Sequence, residues 1–462
     1  MKLLLRAGTG ALVAASMLLA ADAGVTLVGI GFVAGDALDL SGLDGNTCRK
    51  DDAKDCIPRA TLGGFGSALT YTGHDNVYLT TPDRGPFDGR TAEVNPYVNR
   101  YHLMHMALDM GAPFPNIRTS MLSTTLLKDG NQRLVGSSNA FNAVEPDKTL
   151  RFDPEGVRVG KDQTFFVSDE YGPYIYQFSR EGYLIRKMPV PDGYLIGTPS
   201  ADADSAGTSM EIYPNLNTFG RQANRGMEGL AITPDGRFLI GIMQNALIQD
   251  AGLSNAVPPG RVGLANRILR MNIETGATQE FVYVMDSVAQ GRGVNDIVAM
   301  NDHEFLVVER DNRSLVPTPP ADPAEPVLKR IYKIDLNKPG LTDVSSRASL
   351  PGTVAALAAA GVVTVDKTLF IDMLDPAYKV DATQTLKATV AEKIEALAWG
   401  PDLADGRHLL YVLSDNDLSQ TLPTRIYAFA IDKVAAKISY QPQQLPKRMI
   451  GKGKVDKMLG KN

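Results

Sequence analysis

Short apolar runs, separated by turns rich in Gly, Asp and Asn, recur from residue 64 to residue 431. Four of them open alike: Pro154-Glu155-Gly156-Val157-Arg158-Val159, Met227-Glu228-Gly229-Leu230-Ala231-Ile232, Val294-Asn295-Asp296-Ile297-Val298-Ala299 and Ile394-Glu395-Ala396-Leu397-Ala398-Trp399. Each sets a carboxylate at the start of an apolar segment. Gly64 to Tyr71 reads as a fifth start without the acid. A turn and a second apolar run follow each start, at Asn76–Thr81, Thr164–Ser168, Phe238–Met243, Glu304–Val308 and Leu409–Ser414. A third run alternates Ile or Tyr with polar residues, as in Arg330–Asp335 and Arg425–Ile431, and a fourth completes units such as Tyr183–Val190. Period-two alternation bounded by turn formers predicts strands joined by hairpins. Four short antiparallel strands per unit, repeated along the chain, predict an all-β fold of propeller blades. Five blades are visible, and the longer gaps leave room for a sixth. Val25–Val33 is expected to supply an outer strand that closes the ring with the last blade, removing the exposed edge.

Other stretches break this pattern. Residues 1–23 combine Lys2 and Arg6, an apolar stretch from Ala11 to Ala21 and the small residues Ala21-Asp22-Ala23, which predicts a cleaved signal peptide. The apolar part is shorter than the ~20 residues that a spanning helix needs. The propeller domain is expected over 24–445, followed by a basic tail at 446–462. Leu315–Val327 carries five prolines and predicts a loop, whereas the Ala-rich Thr353–Gly361 predicts an inserted helix. Hydrophobic residues make up 44% of the 462-residue chain, which excludes wholesale disorder. A net charge of −5 excludes nucleic-acid binding driven by bulk positive charge. The two cysteines, Cys48 and Cys56, are expected to close one local disulfide in an oxidising compartment, periplasmic or secreted.

The repeated acids carry the candidate chemistry. In a propeller the first strand of each blade lines the central channel, so acids at one phase of the repeat gather at one mouth. Glu155, Glu228, Asp296 and Glu395 form one such set; Asp169, Glu170, Glu309 and Asp415 form another, with Asn245 and Asn416 as neutral oxygen donors. Crowded carboxylates repel one another and raise each other's pKa values, and a divalent cation relieves the conflict. Ligation by oxygen alone favours calcium, or magnesium, over zinc. The histidines His74, His102, His105, His303 and His408 do not form a convincing zinc set. Arg84, Arg158, Arg225 and Arg310 accompany the acids, either as counter-charges or as bidentate anchors for substrate oxygens. No Gly-x-Ser-x-Gly elbow, Walker loop or His-Glu-x-x-His motif occurs.

The stretches Phe152–Arg158, Val167–Pro173, Asn224–Ala231, Val308–Asp311 and Leu413–Asn416 resemble the family known for the esterase-like activity of phytase, over roughly residues 60–432. That resemblance implies a secreted or periplasmic β-propeller whose acidic residues serve phosphoester hydrolysis. The first blade departs from it, with Thr81-Pro82-Asp83-Arg84 where members often have an Asp pair, and the third ends in Gln244-Asn245. The expected activity is calcium-dependent hydrolysis of a small phosphoester by a monomer. Glu155, Glu228, Glu309, Glu395 and Asp415 would hold the metal. Asp169 or Glu170 would act as general base, and Arg158 or Arg310 would grip the phosphoryl oxygens. Two other readings of the same residues are a carboxylic ester or lactone hydrolase, and a calcium-stabilised binding propeller without chemistry.

Overall fold

In the computed structural model, which describes residues 24–87, 92–172, 174–200, 217–255, 260–288, 291–313, 326–378 and 393–445, the alternating runs form five four-stranded antiparallel sheets. Sheet 1 runs Ala68–His74, Val77–Thr81, Arg100–Leu108, Ile117–Leu126. Sheet 2 runs Pro154–Val159, Phe165–Asp169, Ile175–Phe178, Leu184–Met188. Sheet 3 runs Met227–Ile232, Phe238–Met243, Ala265–Asn272, Thr278–Val284. Sheet 4 runs Gly293–Ala299, Glu304–Arg310, Lys329–Asp335, Lys367–Asp372. Sheet 5 is built from Lys393–Trp399, His408–Asp415 and Thr424–Ile431, and its outer place is taken by Val25–Val33 from the other end of the chain. That strand runs antiparallel to the last one, with Val25 opposite Ile431 and Val33 opposite Thr424.

The first strands of sheets 2 and 3 are buried at every position, so their apolar residues do not alternate with exposed polar ones. A strand covered on both faces needs this composition. The first strand of sheet 2 packs against those of sheets 1 and 3, that of sheet 4 against those of sheets 3 and 5, and that of sheet 5 against that of sheet 1. One apolar cluster fills each junction. Leu79 and Tyr101 meet Val157 and Phe165 between sheets 1 and 2. Ile175 meets Leu230 and Leu239 between sheets 2 and 3, and Ile240 meets Ile297 and Val307 between sheets 3 and 4. Val308 and Ile331 meet Ile394 and Val412 between sheets 4 and 5, and Leu69 and Met104 meet Ala396 and Leu413 between sheets 5 and 1. At ~1.5–3 kcal/mol for each large apolar side chain removed from water, these junctions drive the packing of the sheets.

The Cys48–Cys56 disulfide is present, and the Ala-rich segment forms a helix at Val354–Ala359, capped by the Thr353 side chain. A sixth four-stranded sheet is not found among the described residues. The room for it is taken up differently. Two long strands of sheet 1 and the 3-10 turns Ser138–Ala140 and Pro146–Lys148 occupy one gap. The helical insertion before Lys367–Asp372 lengthens sheet 4. Sheet 1 begins at Ala68 rather than Gly64, because Phe65–Ser67 forms a buried 3-10 turn. The predicted leader at 1–23, the tail at 446–462 and most of the proline-rich loop lie outside the described residues. No helix among the described residues is long and apolar enough to cross a membrane.

Candidate metal centre

The acids that open the repeated runs sit on bulges. In sheets 2, 3, 4 and 5 the register between first and second strands shifts between Pro154 and Val157, Met227 and Gly229, Val294 and Ile297, and Ile394 and Ala396. Glu155, Glu228, Asp296 and Glu395 each fall within the shifted interval. A bulge adds an unpaired residue and re-aims its side chain. The glycines after two of these acids let neighbouring first strands approach closely. A Cβ on Gly156 would stand 2.6 Å from the Leu230 backbone nitrogen, and one on Gly229 2.9 Å from the Asp296 Cα.

The folded chain gathers carboxylates from four sheets. Glu155, Glu170 and Glu228 present oxygens within 4.8 Å of one another, as do Asp83, Asp153 and Glu155, and also Asp83, Asp415 and Asp417. The sets share Asp83 and Glu155, so they form one continuous acidic surface. Only Asp417 in this group is exposed. Arg84 bridges Asp83 at 3.2 Å and Asp153 at 3.5 Å, Arg310 pairs with Glu395, and Lys393 pairs with Asp417.

These three cations leave the acids undercompensated. Burial, reinforced by the charge of Glu228, pushes the Glu170 carboxyl up to about 8. Burial and the charge of Glu395 do the same for Glu228, also to about 8. Glu155 lies well above the usual carboxylate range, through burial and then the charges of Glu228, Asp153 and Glu170. Asp415 is raised by burial and by Glu395 and Asp417. Glu170 Oε1, Glu228 Oε2 and Asp415 Oδ2 are buried and accept no hydrogen bond. Such orphaned acceptors are costly unless a positive charge serves them. Hard, anionic oxygens at this density fit calcium or magnesium.

The candidate residues separate into two groups. Glu155, Glu170, Glu228 and Asp415 come together, with Glu395 and Arg310 at the border. Asp169 serves a turn, since its carboxylate accepts N–H bonds from Asp153, Tyr171 and Gly172 at 3.0–3.1 Å. Glu309 faces sheet 3 and the outer strand of sheet 4, accepting from Tyr283 Oη at 2.8 Å, the Asp286 N–H at 2.7 Å and Lys367 Nζ at 2.8 Å. Arg158 does not reach the cluster. Its guanidinium donates to both Asp296 oxygens at 3.0 Å and to the carbonyls of Leu69 and Ile297 at 2.7 Å. It lines a separate cavity of about 350 Å3, walled by Tyr71, Trp399 and Tyr440 at the far end of the first strands. Asn416 accepts the Gly64 N–H at 2.7 Å and fastens sheet 5 to sheet 1.

Asp83, Asp153, Asp417 and Lys393 join the site without having been singled out as ligands. Asp153 had a signal: it lies two residues before Glu155, and that spacing brings side chains of an extended chain to one face. Asp83 and Asp417 belong to the polar clusters that end second runs. Lys393 had no signal, because its role depends on the approach of Asp417 across the hairpin of sheet 5.

An all-β chain with sheets packed first strand to first strand, and carboxylates converging at one end of those strands, defines a class of acid-centred sheet proteins. Within it, this chain belongs to the family described as esterase-like activity of phytase, which it matches over residues 60–418. It is 30% identical over 271 residues to an uncharacterized secreted protein of Arthroderma benhamiae, covering 48% of this chain and 51% of that one. The chain thus spans about half the length of that relative. Among solved structures, a GH43 beta-1,3-galactosidase has a TM-score of 0.38 at 10% identity, covering 83% of this chain and 93% of the other. The hydrazine synthase of Kuenenia stuttgartiensis has a TM-score of 0.33 at 10% identity, covering 77% and 78%. Likenesses of this extent assign no activity to this chain.

Proposed function

We propose that the protein is an exported, calcium-dependent phosphoester hydrolase whose five sheets form the blades of a closed propeller. The observation that carries the reading is the convergence of Asp83, Asp153, Glu155, Glu170, Glu228 and Asp415, with three buried carboxylate oxygens that accept no hydrogen bond. Membership of the family directs this site toward ester chemistry. The cyclic packing of first strands supports the ring, and the residues at 1–23 support export.

Glu155, Glu228, Asp153 and Asp415 would hold the cation, with Glu395 at the border restrained by Arg310. Calcium bound there would supply a hard positive charge that draws electron density from a phosphoryl oxygen. Glu170 is the better candidate for the general base than Asp169. Its Oε1 accepts no bond and is available to take up or release a proton, whereas the Asp169 oxygens hold three backbone N–H groups. Arg310 is the better candidate for charge stabilisation than Arg158, since it pairs with Glu395 at the border of the cluster, whereas the Arg158 guanidinium is committed to Asp296 and to the Leu69 and Ile297 carbonyls away from it.

The test is phosphate release from an aryl phosphomonoester and a diester, with and without chelator, alongside an aryl acetate and a lactone. Chelator-sensitive turnover of a phosphoester is the expected result. Turnover of carboxylic esters alone would replace the phosphoesterase reading, and phosphoester turnover that survives chelation would remove the metal from it.

A further inference from the structure

The cavity at the far end of the first strands is covered by a stretch of chain that belongs to none of the sheets. Residues 439–445 form neither helix nor strand, yet they are fastened to all five four-stranded sheets or to the turns that follow their first strands. The Gln441 N–H donates to the Met300 carbonyl at 2.7 Å, just beyond the first strand of sheet 4, and the Gln444 N–H to the Pro234 carbonyl at 2.8 Å, just beyond that of sheet 3. Gln443 Nε2 donates to the Val159 carbonyl of sheet 2 at 2.6 Å. Leu445 packs against Val77 and Leu122 of sheet 1. The Tyr440 ring centre lies 4.3 Å from that of Trp399, the last residue of the first strand of sheet 5.

The space beneath this stretch is about 350 Å3. A cavity of ~150 Å3 lined by apolar side chains takes up benzene, so this one has room for a molecule of one or two rings. Leu69, Ile232, Val298 and Leu397 line it from the first strands of four sheets, together with the rings of Tyr71, Trp399 and Tyr440. Tyr71 and Tyr440 are only partly buried, so their rings keep uncovered surface. Arg158 and Asp402 are the charged residues among the described lining, and each already has a partner. Arg158 donates to both Asp296 oxygens at 3.0 Å. Asp402 meets His408 Nδ1 at 2.7 Å and is exposed to water. A charged group entering the cavity would give up hydration without gaining a counter-charge, whereas an aromatic ring would gain contact with other rings.

We infer that this cavity is a binding site for a small, uncharged aromatic molecule, held among Tyr71, Trp399 and Tyr440. A pocket of a few hundred Å3 with aromatic walls and few polar groups suits such a ligand. The site lies where the first strands of sheets 2 and 3 end, at Val159 and Ile232, whereas Glu155 and Glu228 stand where those strands begin. It is therefore separate from the acidic centre and holds whether or not that centre turns over an ester.

Trp399 is the one tryptophan of the chain, so selectively excited indole fluorescence reports on this cavity. The test titrates the full chain with 4-nitrobenzyl alcohol, whose nitroaromatic ring quenches a neighbouring indole, and with the anionic 4-nitrobenzoate. Each titration is followed by fluorescence and by calorimetry. The alcohol is expected to quench saturably with a matching calorimetric Kd, and the benzoate to bind at least about tenfold more weakly. Tyr71→Ala and Tyr440→Ala, which each remove a ring, are expected to weaken calorimetric binding of the alcohol about fivefold, whereas Tyr71→Phe and Tyr440→Phe keep the ring and the affinity. Tyr183→Ala removes an exposed ring outside the cavity and should change nothing. Urea midpoints check that each variant folds, and the two probes on the unsubstituted chain decide the matter even where an alanine variant does not. Binding heat without quenching would place the probe elsewhere and overturn the site. So would absence of binding, equal affinity for alcohol and benzoate, or an affinity that folded alanine variants leave unchanged.

Discussion

Arg158 and Asp296 bring opposite charges into the middle of the molecule, and their partners show why both are kept. Arg158 stands on sheet 2 and bonds the Leu69 carbonyl of sheet 1 and Asp296 of sheet 4. Asp296 in turn accepts the Leu397 N–H of sheet 5 at 2.7 Å. One ion pair therefore ties the first strands of four sheets. Removing either partner leaves a buried, uncompensated charge, so Arg158→Leu is expected to lower stability by about 3–5 kcal/mol in urea unfolding, and Asp296→Asn by a similar amount. The double variant should lose less than the sum, because neither charge is then stranded. His102 supplies a second test at this scale. It is fully buried in sheet 1, its Nδ1 meets Thr124 Oγ1 at 2.9 Å, and its Nε2 has no partner. Burial holds its pKa down to about 3; Asp39 opposes this shift and Arg100 adds to it. The unfolded chain takes up the proton near pH 6.5 and the native one does not, so stability falls as pH drops from about 6.5 toward 3. The contribution is on the order of 5 kcal/mol at the acid limit. His102→Gln is expected to flatten that part of the stability–pH profile, read from urea midpoints at pH 7 and pH 4.5.

The bulged first strand is the element on which the site depends. A regular strand pairs its residues in register with the next, whereas the shifts at Glu155, Glu228 and Glu395 add a residue at the carboxylate. Gly156 and Gly229 are required at these strands for space rather than for backbone freedom. Gly156→Ala would press a methyl group against Leu230, 2.6 Å from both its Cβ and its nitrogen. The expected loss is about 1–3 kcal/mol, with weaker calcium uptake as the first strands of sheets 2 and 3 move apart. Urea unfolding and calorimetric calcium titration of the same variant check the two effects together. Sheet 1 lacks both the acid and the bulge at this place, and it contributes Asp83 from the loop after its second strand instead.

At the scale of the whole chain, the acids that crowd one end of the first strands oppose folding, and a cation held there, as proposed, would offset them. Calcium that binds only the folded chain adds RT ln(1 + [Ca]/Kd), about 2.7 kcal/mol at a hundredfold excess over Kd. Chelation is therefore expected to lower the melting temperature, with recovery on adding calcium back. Glu155→Gln combined with Glu228→Gln is expected to raise the melting temperature in chelator and to abolish the response to calcium, because the repulsion and the ligands are removed together. Period-two runs and their turns determined the strands, their grouping in fours and the phase at which acids recur, since these follow from neighbours a few residues apart. The pairing of Val25–Val33 with the last strand was legible for a related reason: an otherwise exposed edge and an unassigned apolar run complement one another. Direction and partnership were not legible. Glu309 and Glu228 both adjoin apolar runs, yet one faces Tyr283 and Lys367 while the other meets Glu155 and Glu170. Arg158 and Arg310 both lie within three residues of an acid in sequence, and only Arg310 lies at the border of the cluster. Such outcomes depend on bulge geometry and on which sheet edges meet across many tens of residues. The chain by itself specified which groups were available and how often they recur; only their packing in three dimensions decided which acids crowd together as candidate cation ligands and which are neutralised by a neighbour.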